Sequence, residues 1–142
     1  MNLKRYKYYI SAIIIFLLTK ISFAQTGWVN QSSGITESLN TVKFINANTG
    51  WCAGNAGKIL KTTNGGINWI QQEINFIGNL NSLFFISDNL GYIAGEKDSV
   101  GYIFKTTNGG VNWNSTGPLN TKSLKSVFFI NSEIGFTGEY YE

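Results

Sequence analysis

The sequence predicts an all-β fold made of β-propeller blades, each of four antiparallel strands. Three observations carry this. A nonapeptide, KTTNGGINW at Lys61–Trp69, returns as KTTNGGVNW at Lys105–Trp113 with only Ile67 and Val111 exchanged. The segments around it repeat as well. Leu39-Asn-Thr-Val-Lys-Phe-Ile-Asn matches the stretches from Leu80 and Leu124, with steps of 41 and 44 residues. Tandem units of about 40–50 residues are the mark of propellers and solenoids. Finally, Gly occurs 16 times, aromatics are 15% of the chain and charged residues only 13%. That is the balance of short strands and tight turns rather than of solvated helices.

Residues 1–24 stand outside the fold. Lys4, Arg5 and Lys7 precede an apolar run from Ile10 to Leu18, and Ser22-Phe23-Ala24 supplies small residues at both cleavage positions. This reads as a bacterial Sec-type secretory signal peptide cut after Ala24. The apolar run is half the roughly 20 residues a membrane span requires, so no stable span is expected after cleavage. The expected location is periplasmic, in the cell envelope or extracellular. The whole chain carries a net charge of +3. Cleavage removes four of its 11 basic residues and leaves seven Lys against eight carboxylates, close to −1. The basic character of the full sequence is therefore no argument for a nucleic-acid partner.

Residues 25–142 read as a partial propeller. Residues 25–38 hold a lone fourth strand, Gly27-Trp-Val-Asn-Gln31, and a linker. Blade 1 is 39–79, blade 2 is 80–123, and a truncated blade 3 is 124–142. Each Trp precedes the next repeat's Leu by 11 residues: Trp28 and Leu39, Trp69 and Leu80, Trp113 and Leu124. Within blade 1 the expected strands are Val42–Ile45, Gly50–Gly54, Lys58–Thr62 and Asn68–Gln72. Their joints carry Asn and Gly, which tolerate positive φ. Two full blades, one strand and half a blade do not close a ring of roughly four to eight blades. The sequence thus reads as the N-terminal part of a propeller of about six to eight blades. Short chains assembling into a ring are the alternative.

The repeated nonapeptide has a structural explanation. Asn-Gly is a strong hairpin signal because both residues accept positive φ, and the Asn side chain can bond back to the loop. The Trp that follows brings a large apolar face to the seam between blades. The structural residues are Thr62, Asn64, Gly66 and Trp69, with Thr106, Asn108, Gly110 and Trp113. This pattern resembles the Asp-box, or BNR, motif, with Asn where Asp is usual. Together with Phe-Phe-Ile, Gly-Tyr-Ile-Ala-Gly and Ile-Phe-Lys-Thr-Thr, the chain from Gly27 onward resembles the photosystem II assembly and stability factor family. The resemblance implies a propeller fold and an assembly-factor-like role, through protein contacts, on the far side of a membrane.

The chemical inventory is narrow. His is absent, which removes Ser-His-Asp and Cys-His centres and histidine metal sites. The one Arg, Arg5, leaves with the signal, so the arginine cluster of sialidases, the best-known BNR proteins, has no counterpart. No cofactor, metal or catalytic residue is assigned, and the segment reads as a binding or scaffold module rather than an enzyme. The partner expected is a protein, with carbohydrate as a second class. Two alternatives stand beside this reading. One is the N-terminal part of a secreted Asp-box glycoside hydrolase, whose pair of carboxylates would lie mostly beyond Glu142. The other is a lectin-like ring of short chains. Cys52 is alone, so no internal disulfide forms and it reads as a small core residue. Phe44, Phe84, Phe85, Phe128 and Phe129 recur at equivalent positions and read as core rather than as a stacking platform. The single candidate binding element is Glu96-Lys97-Asp98, where the second repeat carries extra residues at a blade rim.

Overall fold

The computed structural model describes Gly27 and residues 29–140; the signal peptide and its cleavage position lie outside the described residues. A compact unit begins at Gln31. Its described residues form ten strands: β1 (Leu39–Phe44), β2 (Gly50–Gly54), β3 (Ile59–Thr62), β4 (Ile70–Gln72), β5 (Asn79–Phe85), β6 (Gly91–Lys97), β7 (Val100–Thr106), β8 (Asn114–Pro118), β9 (Leu124–Phe129) and β10 (Gly135–Glu139). They form two four-stranded antiparallel sheets, β1-β2-β3-β4 and β5-β6-β7-β8, and a two-stranded sheet of β9 and β10. Each sheet is a meander in chain order. The first strands β1, β5 and β9 neighbour one another from sheet to sheet. This is the arrangement of successive propeller blades.

Val29–Ser38 form no strand. A fourth strand is defined by its ladder to a third, and no third strand stands beside this segment among the described residues. β1 begins at Leu39, three residues before the expected Val42. The added length holds a bulge: Leu39 pairs with Gly54 and Thr41 with Ala53, leaving Asn40 outside the ladder. The same shift occurs between Leu80 and Ser82. A bulge re-aims the side chain of its extra residue. Here Asn40 Nδ2 donates to the Leu80 carbonyl at 3.0 Å, and Asn81 Nδ2 to the Leu124 carbonyl at 2.7 Å. One register later, the Thr41 hydroxyl accepts from Leu83 N–H (3.4 Å) and the Ser82 hydroxyl from Val127 N–H (3.2 Å). Each first strand is therefore tied to the next by a side-chain amide and a hydroxyl.

Between the sheets lie two apolar layers. The first contains Trp51, Ala53, Ile59, Leu80, Leu83 and Phe85 and reaches Phe104. The second contains Tyr92, Ala94, Leu124 and Val127. Both are organised by one stack. The Trp51 indole lies on the Phe85 ring at 3.7 Å and 13°, and Tyr92 lies on Phe129 at 3.9 Å and 19°. A lysine from the third strand caps each: Lys61 Nζ is 5.0 Å from the Trp51 centroid and Lys105 Nζ 5.6 Å from that of Tyr92. Trp51 is 0% exposed. Phe44 and Phe136 hold the same two positions where no adjoining blade is described, and they are 39% and 57% exposed.

The repeated glycine at the start of each second strand follows from the same aromatics. Gly50, Gly91 and Gly135 pair across the ladder with Phe44, Phe85 and Phe129. A Cβ at Gly50 would sit 2.8 Å from the Phe44 ring, and one at Gly91 would sit 2.6 Å from Phe85. The ring lies over the bare backbone, so any side chain there displaces it.

Removing the seam aromatic tests this architecture. Trp51→Ala is expected to cost about 3–5 kcal/mol, the usual range for truncating a buried aromatic. Urea unfolding measures it, and a loss under 1 kcal/mol would contradict the placement of Trp51 at the seam.

Candidate functional site

The Asp-box loops join β3 to β4 and β7 to β8. The structure places positive φ on the two glycines, Gly65 (68°) and Gly66 (87°), and Gly109 (67°) and Gly110 (91°), not on the preceding Asn. The loop is also longer than a two-residue hairpin, running from Thr62 to Ile70. Its shape is held by two side chains. The Thr62 hydroxyl accepts from Gly66 N–H (2.9 Å) and donates to Asn64 Oδ1 (3.0 Å), which accepts in turn from Asn68 N–H (2.9 Å). Thr106, Asn108, Gly110 and Asn112 repeat these bonds at 3.0 and 2.9 Å. Asn replaces the usual Asp without loss because the loop uses only an acceptor oxygen, which both side chains supply.

Each loop is anchored on its own blade by Gly65 N–H to the Asn48 carbonyl (2.8 Å) and Gly109 N–H to the Asn89 carbonyl (2.9 Å). The Gly109 carbonyl then accepts from Trp51 Nε1 and Lys61 Nζ of the preceding blade, both at 3.1 Å. Trp113 packs on the first apolar layer, edge to Phe85 at 6.0 Å. Trp69 is half-buried and meets Phe44 edge-on at 6.0 Å. Sequence reasoning assigned the seam to these loop tryptophans and overlooked Trp51. The signal was available: Trp51, Tyr92 and Phe136 are all aromatic at one repeat position.

The Glu96-Lys97-Asp98 element is a tight hairpin. Lys97 pairs with Val100, and Asp98 (φ 53°) and Ser99 (φ 64°) form the two-residue turn. The three side chains do not converge. Glu96 turns to the third blade, with Oε2 2.9 Å from Lys125 Nζ and Oε1 accepting from Asn79 Nδ2 at 3.4 Å. Lys97 and Asp98 are exposed at the tip. The hairpin borders a recess of about 310 Å³ with Ile77, Gly78 and Asn79.

A larger groove, about 720 Å³, lies where the chain leaves blade 1 opposite the Asp-box loop of blade 2. Glu73, Asn75, Asn108, Asn112, Trp113 and Asn114 are in its walls. Sequence reasoning missed it because its walls come from different repeats. The one local clue is Asn114, which stands where the first repeat has Ile70. Among the described residues no group of three or more His, Cys, Asp or Glu is placed to hold a metal.

Serial four-stranded meanders, each with an Asp-box loop between its third and fourth strands, define a BNR-repeat β-propeller. The family model described as photosynthesis system II assembly factor YCF48 matches residues 21–124, and the chain belongs to that family. A solved structure described as YCF48 bound to D1 peptide shares the fold, with a TM-score of 0.65 at 21% identity. The alignment covers 78% of this chain and 36% of that one, so the chain spans little more than a third of that structure's length. No curated protein matches the sequence.

Three outcomes test this geometry. Thr106→Val keeps the shape but strands the buried Gly110 N–H, an expected cost of about 1–3 kcal/mol by urea unfolding. Cys52 is 4% exposed, and burial pushes its thiol from 9.0 up to about 11, against a weaker backbone hydrogen bond from Leu60 that lowers it. The unfolded thiol ionises first, so this group's contribution to stability is full below pH 9 and declines as pH rises towards about 11. Relative to Cys52→Ala, the parent protein should lose stability over that window. Native Cys52 should also resist iodoacetamide until the chain is unfolded.

Proposed function

We propose that this chain is a non-catalytic binding module of the cell envelope or exterior that holds another polypeptide in an assembly-factor-like role. The observation that carries this is the shared fold with a structure described as a peptide complex. Membership in an assembly-factor family supports it. The chemistry of the chain points the same way. Without His, acid–base work falls to carboxylates, and two of these are committed to ion pairs: Glu37 with Lys58 at 3.4 Å and Glu96 with Lys125 at 2.9 Å.

The contact element we assign is the β6–β7 hairpin. Lys97 and Asp98 sit at its exposed tip, while Glu96 braces its base against blade 3 through Lys125. A rigid, protruding, charged hairpin can recognise a partner without paying to become ordered. The extracytoplasmic location rests on the signal-like segment 1–24. No helix among the described residues is long and apolar enough to cross a membrane.

A photo-crosslinking residue at Ser99, the other exposed turn position, in the whole protein in its native cells, is expected to capture one dominant exported or membrane polypeptide. Exchanging the tip charges (Lys97→Glu with Asp98→Lys) should reduce the yield several-fold. A yield unchanged by this exchange would remove the hairpin from the interface. Recovery of the protein with residues 1–24 intact in the cytoplasm would overturn the location.

A further inference from the structure

We propose that the groove between the first two blades is a binding site for a neutral oligosaccharide. It lies away from the β6–β7 hairpin and has a different test, so either reading can fail alone. The volume, about 720 Å³, is that of a small-molecule site. Both walls are fixed. On one side Phe76 drives into the core against Tyr102 (5.0 Å) and Phe104 (4.8 Å), and Ile74 packs beside it. That anchors Glu73 and Asn75 in place. On the other side the Thr106–Asn108 bonds hold the loop rigid. A site that is already ordered loses little entropy on binding.

The lining selects the ligand. The side chains of Asn75, Asn112 and Asn114 make no hydrogen bond to a described residue. Asn108 spends only its oxygen on the loop, so its amide nitrogen is free. Each free carboxamide offers donors and an acceptor, the complement of sugar hydroxyls, which do both. Glu73 adds an acceptor, and the half-buried Trp113, packed on the first apolar layer, adds part of an aromatic surface. No Lys or Arg is in the walls, which disfavours phosphate, carboxylate and nucleic-acid ligands. Apart from Trp113 the lining is apolar only at Ile74 and Val111, too little for a peptide anchored by buried side chains. The corresponding loop of blade 1 repeats Thr63, Ile67 and Asn68 but carries Ile70, 63% exposed, in place of Asn114. Asn64 and Asn68 stand where the second loop has Asn108 and Asn112, so Asn114 is the amide particular to the second loop.

The test titrates the full chain calorimetrically with cellotriose, chitotriose and xylotriose, each to about 10 mM, where even a millimolar site is mostly filled. At least one is expected to bind. Asn112→Ala with Asn114→Ala should weaken it by about tenfold or more, since two groups that meet the ligand lose their hydrogen bonds. Neither side chain has a partner among the described residues, so the melting temperature should not move. Asn75→Ala, on the opposite wall, gives a second reading that leaves the Asp-box loop untouched. Lack of binding by all three sugars overturns the proposal. Binding that survives both sets of substitutions overturns it as well, as does preference for a heparin tetrasaccharide or an unstructured peptide.

Discussion

Between the first and second blades the Trp51 indole lies flat on Phe85, its N–H donates to the Gly109 carbonyl, and Lys61 closes over its other side. This one residue touches the first strand, the Asp-box loop and the apolar layer of the blade that follows. A single blade is a small twisted sheet with two apolar faces and cannot bury either alone. The stack turns that deficit into a specific join, because a ring on a ring fixes the spacing and tilt of two sheets more narrowly than aliphatic contact does. Tyr92 on Phe129 repeats it with a different ring. The join depends on an aromatic at that position rather than on tryptophan itself.

The Asp-box loop belongs to the same constraint. It is often the most visible motif in such chains, yet its polar bonds are internal: Thr to Gly, Thr to Asn, Asn to the next Asn backbone. These bonds present the Gly109 carbonyl outward at one fixed place, where the preceding blade meets it with an indole N–H and an ammonium. The loop is a rigid acceptor for the neighbouring blade. Its outer surface carries side-chain amides in both copies, and the second copy adds Asn114 to them. The structural motif and the candidate ligand groove share one loop, with the structural bonds inside and the exposed amides outside.

Function in such a repeat falls where the repeat is broken. Three departures stand out. Lys125 replaces the Asn that ties the first strands together at Asn40 and Asn81, and instead pairs with Glu96. The β6–β7 hairpin replaces the short turn at Asn55–Gly57. Asn114 replaces Ile70. The first two are linked, since the salt bridge that Lys125 forms braces the longer hairpin. Family membership fixes the architecture around these positions.

The sequence by itself determined the all-β class, the blade repeat, the limits of the second strand at Gly50–Gly54, and the loops at Thr62–Trp69 and Thr106–Trp113. These follow from local chemistry: turn residues, alternation and a period that any register preserves. It also exposed the extra residues at Glu96-Lys97-Asp98. Only the tertiary structure decided that Trp51 rather than Trp69 is the buried seam aromatic, because burial depends on which face the next blade covers. It separated Glu96 from Lys97 and Asp98, because alternation along β6 and the turn at Asp98–Ser99 send adjacent side chains in different directions. It brought Glu73 and Asn75 opposite Asn112 and Asn114, residues roughly forty apart in the chain. Such contacts are set by how one sheet docks on the next, and no local pattern in the sequence encodes that geometry.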